Sequence, residues 1–569
     1  MRKLILLIQA VFLMQLSMNT AMAKSTNKPT NKILKIGVAQ EFENLNPLIM
    51  TMLTTTYLYK MANRTLVSMD HKGNWVPQIV KELPSLKNKK AVLKKGGKHG
   101  KYIVAHWEIL ENAKWGDGTP VTGHDVKFAW ETAMLDTVTI GEKEVYTQIT
   151  KIDIDEKNPK KFSFTYEKAK WDFSQLGTFY ILPKHLEASV VKKHGKEPSG
   201  YEKNSKYTTD ATNPGLYNGP YRIKEIKLGS HVELVPNKYF YGEKPKIQKI
   251  ILRLISDTGT MEANLRSGEI DMISKIGLTF DQALVFEKKA KKNNWPYLAK
   301  FKPGLVYEHI DFNLRNEFLK DINVRKALAL SVDRDKLTQA LFSGRQQKAI
   351  HNVAPIDPWY TDNPKEIVLY KHSKRKARKL LKAAGWKINK EDGFRYKNGK
   401  RLSFQLMTTS GNRTREQVQS YLQNQWKKIG VEITIKNEPA RVYFGETVHK
   451  AKYPAMAMYA WISSPENTPR ATFHSKSIPS KKNNYSGQNS GGWKNKTVDD
   501  LIDKMDLEFN AKRRAEIASK ILYHYTNEVP VYPLYYRSDI SIIPKNLKGH
   551  KMTGTQFSAT NTVEDWDLQ

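Results

Sequence analysis

The 569-residue chain contains no cysteine. It can hold neither a disulfide framework nor the lipidated cysteine that tethers many exported proteins to a membrane. Long apolar runs are missing as well. Past residue 23 none reaches the roughly 20 residues that a spanning helix needs, so no retained anchor is expected. Acidic residues are in short supply, 57 Asp and Glu against 93 Lys and Arg, for a formal charge of +36. Such an imbalance raises nucleic acid or an anionic membrane as a partner. The lysines are nevertheless spread over the whole length, with clusters at residues 87–101 and 371–382, and no basic helix or aromatic-basic sheet motif stands among them. They are read as a solvated surface, with no nucleic-acid partner.

Catalytic signatures are also absent. The chain has no G-x-S-x-G, no H-E-x-x-H and no G-x-x-x-x-G-K-(S/T), the marks of a serine hydrolase, a zinc protease and a P-loop nucleotide site. Ser373-Lys374-Arg375-Lys376 spells S-x-x-K but lacks the S-D-N and K-T-G elements that accompany it in serine acyl-transferases. The 14 histidines show no paired ligand spacing, and His309 and His351 are isolated. No enzyme, no cofactor and no metal site is expected.

What is present begins with a leader. Arg2 and Lys3 precede an apolar run over residues 4–16 interrupted only by Gln9 and Gln15, and Ala21-Met22-Ala23 offers a small-residue cleavage site. This is the layout of a secretory signal peptide. Cleavage after Ala23 leaves 546 residues with a formal charge of +34, enough for roughly three or four domain-sized units. With no cysteine to lipidate, the exported product is expected to be free in a periplasm.

Several segments carry clear local signals. Lys35-Ile36-Gly37-Val38-Ala39 reads as a short strand stopped by the turn Leu45-Asn46-Pro47. Residues 87–100, rich in Lys and Gly and without periodicity, read as an exposed hairpin tip or insertion. Trp115-Gly116-Asp117-Gly118-Thr119-Pro120 is a turn, after which Thr122 is placed to cap a helix. Val126, Phe128, Ala129 and Trp130 of that helix point inward, and Asp125 sits in its positively polarised first turn. A new unit begins near Pro303, and residues 321–331 carry a helical stripe of Ile322, Val324, Ala327, Leu328 and Leu330, with Arg325 and Lys326 between. Leu402, Phe404 and Leu406 alternate. Val418, Tyr421, Leu422, Trp426 and Ile429 then share one helical face, Gly430 ends that helix, and Val431, Ile433 and Ile435 alternate again. Strand, helix and strand over about 35 residues predict a parallel pair with a right-handed crossover.

The turn, cap and helix at residues 115–131 resemble the W-x-(D/N)-G-x-P-(V/L)-T-A-x-D-V-x-(F/Y) signature of the family 5 extracellular solute-binding proteins, the peptide- and nickel-capturing subunits of ABC importers. Gly123 stands where the family usually has Ala. Trp75-Val76-Pro77-Gln78-Ile79, Ile181-Leu182-Pro183-Lys184-His185, residues 213–221 and 233–242, Gly268-Glu269-Ile270-Asp271, Val324-Arg325-Lys326-Ala327-Leu328 and residues 529–537 resemble further family segments in family order. The resemblance implies an α/β, two-lobed periplasmic binding protein (type II, large cluster C-like) with an extra subdomain in the first lobe. The implied division is a signal peptide at 1–23, a discontinuous first lobe at 33–69, 212–303 and 531–569, the extra subdomain at 70–211, and a second lobe at 304–530. It implies a monomer that captures a peptide or peptide-like ligand and delivers it to ABC permease subunits. A nickel- or metallophore-binding member and an exported hydrolase are the alternatives.

Candidate ligand contacts follow from the same resemblance. Residues 459–466 resemble the W-x-x-D-x-x-D-P cleft loop of peptide binders, in which the Trp packs on the ligand and the first Asp pairs with its α-ammonium. Trp461 matches and Ser463 lies in the loop, but Ser464 replaces the Asp, and Glu466 is the nearest carboxylate in sequence. A desolvated ammonium without a carboxylate is costly, so the departure counts against ordinary recognition of a free peptide N-terminus and in favour of a modified or N-blocked peptide, or a non-peptide ligand. Arg413 and Arg415 occupy a loop whose family counterpart can offer an Arg to a ligand carboxylate. Asn489, Asn46 and Tyr532 complete the candidate set.

Overall fold

The computed structural model describes residues 32–569 apart from 43, 51, 139, 141–142, 440–441, 464–467, 484 and 486. The expected signal peptide at 1–23 lies outside the described residues.

Fourteen strands form the two larger sheets: β1 Ile33–Val38, β2 Ala91–Lys95, β3 Lys101–Glu108, β4 Ile149–Ile154, β5 Lys161–Tyr166, β6 Tyr221–Lys227, β7 His231–Pro236, β8 Lys249–Leu254, β9 Met272–Ile273, β10 Tyr297–Phe312, β11 Ser403–Met407, β12 Glu432–Ile435, β13 Met456–Ile462 and β14 Val531–Pro544. Ten of them make one mixed sheet in the order β12-β11-β13-β10-β14-β9-β1-β8-β7-β6, and four make an antiparallel sheet in the order β2-β3-β5-β4. The fold is thus mixed α/β in two lobes, as the family resemblance implies. In the first lobe, Leu34 and Ile36 of β1 share one apolar core with Ile103, Trp107 and Phe164 of the four-stranded sheet. In the second, Ile310, Phe404, Leu422 and Trp426 are among the residues of a separate core.

β10 and β14 are antiparallel partners that belong to both lobes. Residues 297–303 pair with 538–544 on the first-lobe side, and residues 307–311 pair with 531–536 on the second-lobe side. Between these stretches the register slips, and residues 304–306 face Arg537 alone. There the Leu305 N–H donates instead to the Gly554 carbonyl at 2.8 Å. Gly554 has φ +74°, and a Cβ on it would lie 2.3 Å from the Pro303 carbonyl oxygen, so only glycine fits.

The predicted βαβ unit is present. β11 and β12 are parallel, and the helix Arg413–Lys427 connects them. Asn412 caps that helix by accepting the Arg415 N–H at 3.1 Å, and Gly430, at φ +80°, follows its end. Ile435 departs from the expected alternation: β12 is the edge of the sheet, and the side chain is exposed. The stretch 87–100 is shorter as a loop than expected. β2 begins at Ala91 and the tip is confined to residues 96–100. Only Ala91 of β2 is buried, which is why the strand carries no apolar period.

At the signature segment, Thr122 accepts the His124 N–H at 3.2 Å and Asp125 accepts the Thr122 N–H at 2.8 Å, a reciprocal cap. Val126 and Ala129 are fully buried and Phe128 nearly so, while Trp130 is half-buried. A methyl on Gly123 would lie 3.2 Å from both the Pro159 carbonyl oxygen and the Phe162 Cβ, a physical reason for glycine here. Asp125 also accepts the Lys184 N–H at 2.9 Å, and His185 Nε2 lies 2.8 Å from Asp117. Two of the resemblance segments therefore interlock with each other, away from the space between the lobes.

Candidate functional site

A cavity of about 770 Å³ lies between the two lobes. Most of its wall comes from the second lobe, and the four-stranded-sheet side contributes Glu144 and Lys170. Tyr307 of β10 and Trp461 of β13 are direct antiparallel partners, and both face the cavity. Strand alternation then sends Glu308 to the opposite face of the sheet. Ile462 and Ser463 continue the wall, and Asp357 and Trp359 join it from a loop. That loop, Ala354-Pro355-Ile356-Asp357-Pro358-Trp359-Tyr360, has no helical or strand period.

Asp357 is the most perturbed carboxylate of this wall. It is buried, its Oδ1 accepts the Trp359 N–H at 2.9 Å and its Oδ2 accepts the Ser463 hydroxyl at 2.5 Å. Burial pushes its pKa up to about 6, and the two hydrogen bonds only partly oppose that rise. Arg470, also on the wall, is held by Asp506, which accepts from its Nε at 3.0 Å and its Nη2 at 2.9 Å. Lys170 lies 3.0 Å from Asp172. His449 lines the cavity, but among the described residues no group of three or more His, Cys, Asp or Glu could hold a metal ion.

Side chains beside the cavity bridge the lobes. Trp171 meets Trp359 edge to face, with centroids 5.8 Å apart, and the Arg514 guanidinium lies 4.0 Å over the Trp171 ring. Lys168 is 3.5 Å from Asp506. These contacts join the segment after β5 to the helices Lys496–Asp506 and Ala511–Glu528.

Of the candidate ligand contacts, the structure brings Trp461 and Ser463 to the cavity wall. Ser464 and Glu466 lie outside the described residues. The remaining four stand elsewhere, each for a physical reason. Asn46 is fully buried, accepts the Leu48 N–H at 3.1 Å and donates to Ser205 Oγ at 3.2 Å, so it fixes a turn within the first lobe. Tyr532 is fully buried, stacks on Phe312 and donates to the Ala329 carbonyl at 3.2 Å, inside the second-lobe core. Asn489 is buried, donates to the Phe473, His474 and Trp493 carbonyls and accepts the Trp493 N–H at 2.9 Å. It braces the loop whose Gly487 and Gln488 reach the cavity. Arg413 is exposed at the start of its helix. That helix packs on the Glu308 face of the sheet, where the buried Arg415 Nε donates to Glu308 Oε1 at 2.6 Å.

The isolated histidines are structural. His351 is fully buried, accepts the Val353 N–H at 3.2 Å and places Nε2 2.7 Å from the Thr361 carbonyl. Burial lowers its pKa to about 4, so it stays neutral. His309 is buried 3.4 Å from Asp311. Sequence reasoning missed Tyr307, Asp357, Trp359, Arg470 and Asp506. The loop of residues 354–364, with three prolines and two aromatics outside any period, was the one legible signal for any of them.

Comparison with known proteins agrees with this geometry. Residues 105–481 match the family described as bacterial extracellular solute-binding proteins, family 5 Middle. The oligopeptide-binding protein AppA of Bacillus subtilis (strain 168) is 25% identical over 557 residues, covering 96% of this chain and 95% of its own. The oligopeptide binding protein of Thermus thermophilus, solved in complex with a pentapeptide, has a TM-score of 0.70 at 25% identity, over 94% of this chain and 96% of its own. NikZ of Campylobacter jejuni, solved in complex with Ni(L-His), has a TM-score of 0.70 at 26% identity, over 94% and 99%. A match to well over half of the chain, joined to a two-lobed fold with a cavity between its lobes, establishes that the chain belongs to the family 5 bacterial extracellular solute-binding proteins.

Proposed function

We propose that the chain is the periplasmic substrate-binding subunit of an ABC importer. It captures oligopeptide-like solutes between its lobes and delivers them to membrane permease subunits, as a monomer and without chemical change to the guest. One observation carries this reading: the cavity of about 770 Å³ has an aromatic and polar wall built from both lobes. That size lies within the roughly 300–1,000 Å³ of small-ligand sites. A guest that touches both walls supplies the differential free energy for closure, and no bond need be made or broken. The pentapeptide held by the Thermus thermophilus relative supports peptide as the guest.

The working division is the one given above except at the last long strand, whose residues 531–536 pair and pack with the second lobe: a leader at 1–23, a first lobe at 33–69, 212–303 and 537–569, a subdomain at 70–211, and a second lobe at 304–536. Cleavage of the leader after Ala23 and the lack of cysteine make the product a free periplasmic protein. Among the described residues no helix is long and apolar enough to cross a membrane. Trp461 and Ser463 head the proposed ligand contacts, with Ser464 and Glu466 following in the same loop.

Native mass spectrometry of protein purified from its own cells tests the reading. Peptide masses released on denaturation support it; a guest converted to product during incubation overturns it. Similarity to the Ni(L-His)-bound NikZ and the presence of His449 on the wall favour a metal complex as second reading. The isotope pattern of nickel in the same spectrum would identify that case.

A further inference from the structure

Asp357 is a carboxylate on the cavity wall without a cation of its own. It is only 4% exposed. The two cationic side chains on the same wall are already matched, Arg470 by Asp506 and Lys170 by Asp172. Among the described residues no Lys, Arg or His contributes to the charge balance of Asp357, and the neighbouring Ser464-Pro465-Glu466-Asn467 contains no cation either. A carboxylate in this position is costly to the empty protein.

Its hydrogen bonds do not account for that cost. The turn bond from the Trp359 N–H uses one oxygen, and an asparagine would accept it equally well. The second oxygen takes the Ser463 hydroxyl, a donor that supports negative charge without neutralising it. Tyr307, Trp359 and Trp461 line the same cavity, and aromatic faces accept cations.

We infer that Asp357, braced by Ser463, is the anionic pole of the cleft and receives the positively charged amino terminus of the guest. The inference rests on the peptide reading above. It replaces the expectation of an N-blocked guest: the carboxylate missing at Ser464 is supplied from a different loop, over a hundred residues earlier in the chain.

Two random pentapeptide libraries made without Lys, Arg or His, one with free and one with acetylated amino termini, test it. Each is offered to the mature protein after removal of co-purified guest, and retained peptide is counted by native mass spectrometry. The wild type is expected to favour free termini by about tenfold or more, and Asp357→Asn to lose that preference. Ser463→Ala, which leaves the turn bond intact, is expected to reduce the preference severalfold. A wild type indifferent to acetylation, or an Asp357→Asn or Ser463→Ala protein with undiminished preference, overturns the role of Asp357 and leaves the peptide reading standing. A wild type that retains neither library overturns both.

Discussion

Ser463 and Asp357 are 106 positions apart in the chain and share a 2.5 Å hydrogen bond on the cavity wall. The bond joins the end of β13 to the loop that also carries Trp359, so the site is closed by a contact that neither segment makes alone.

The titration of Asp357 has a definite sign. An unfolded aspartate titrates near 3.9, whereas burial raises this one to about 6 in the folded protein. The folded state therefore prefers the protonated form. The stabilisation this provides is complete below about pH 4 and is lost as the pH rises through about 6. Asp357→Asn, which cannot ionise, is expected to match the wild type near pH 4 and to exceed it by about 2 to 3 kcal/mol at pH 8 in the absence of guest. Scanning calorimetry across that range checks it; a difference constant with pH would count against the shift.

Trp461→Ala should weaken guest affinity by about 1 to 3 kcal/mol, because the indole stands opposite Tyr307 in the wall as a large aromatic anchor. Calorimetric titration with a peptide identified from the native protein reads this. An unchanged affinity with a lowered melting temperature would assign the indole to packing alone.

Trp171→Ala removes the edge-to-face contact with Trp359 and the ring beneath the Arg514 guanidinium. Trp171 does not itself line the cavity, so its loss should act on closure. The expected result is a larger radius of gyration in small-angle scattering with guest present and an affinity lower by about 1 kcal/mol. Scattering identical to the wild type in both states would show that this clasp does not hold the lobes.

Arg415→Ala should be a stability variant. Arg415 and Glu308 are both buried, and Glu308 also meets the partly exposed Arg537 at 2.8 Å. Removing Arg415 leaves a carboxylate in the sheet with one partner in place of two, at a cost of about 3 kcal/mol. Urea unfolding should show that loss, with guest affinity at the folded plateau unchanged. A fall in affinity without a fall in stability would restore the ligand role considered for this loop.

The elements whose signals are local were legible. Thr122 and Asp125 cap their helix because cap, acid and apolar positions fall within a few residues. The stripe of Val418, Leu422, Trp426 and Ile429 is buried because a helical face is written at fixed spacing. Function depended on longer range. Asn46, Asn489 and Tyr532 are residue types that serve a turn or a core as well as a ligand, and only the partners decide which. Arg325 shows the same limit: it reads as a base on a helix, yet it is buried and donates to the Leu319, Glu528 and Val529 carbonyls. The cavity wall is assembled from Glu144 through Leu522, and no spacing rule places Asp357 beside Ser463.

The interrupted ladder between β10 and β14 bears on how such a molecule moves. Two long strands crossing from lobe to lobe would resist bending if every rung were paired, because swinging one half would tear backbone bonds. Here the rungs are omitted at residues 304–306 opposite Arg537, the ladder is continuous over residues 297–303, and a second, smaller slip follows between Glu308 and His309. Bending at residues 304–306 breaks no rung between the two strands; what it must rearrange is the Leu305 N–H bond to the Gly554 carbonyl, beside Gly304, which carries no side chain. The interrupted stretch shares its backbone with the cleft, since Val306 pairs with Ile462 and the Leu305 carbonyl accepts the Ser463 N–H, so a bend there is coupled to the wall that meets the guest.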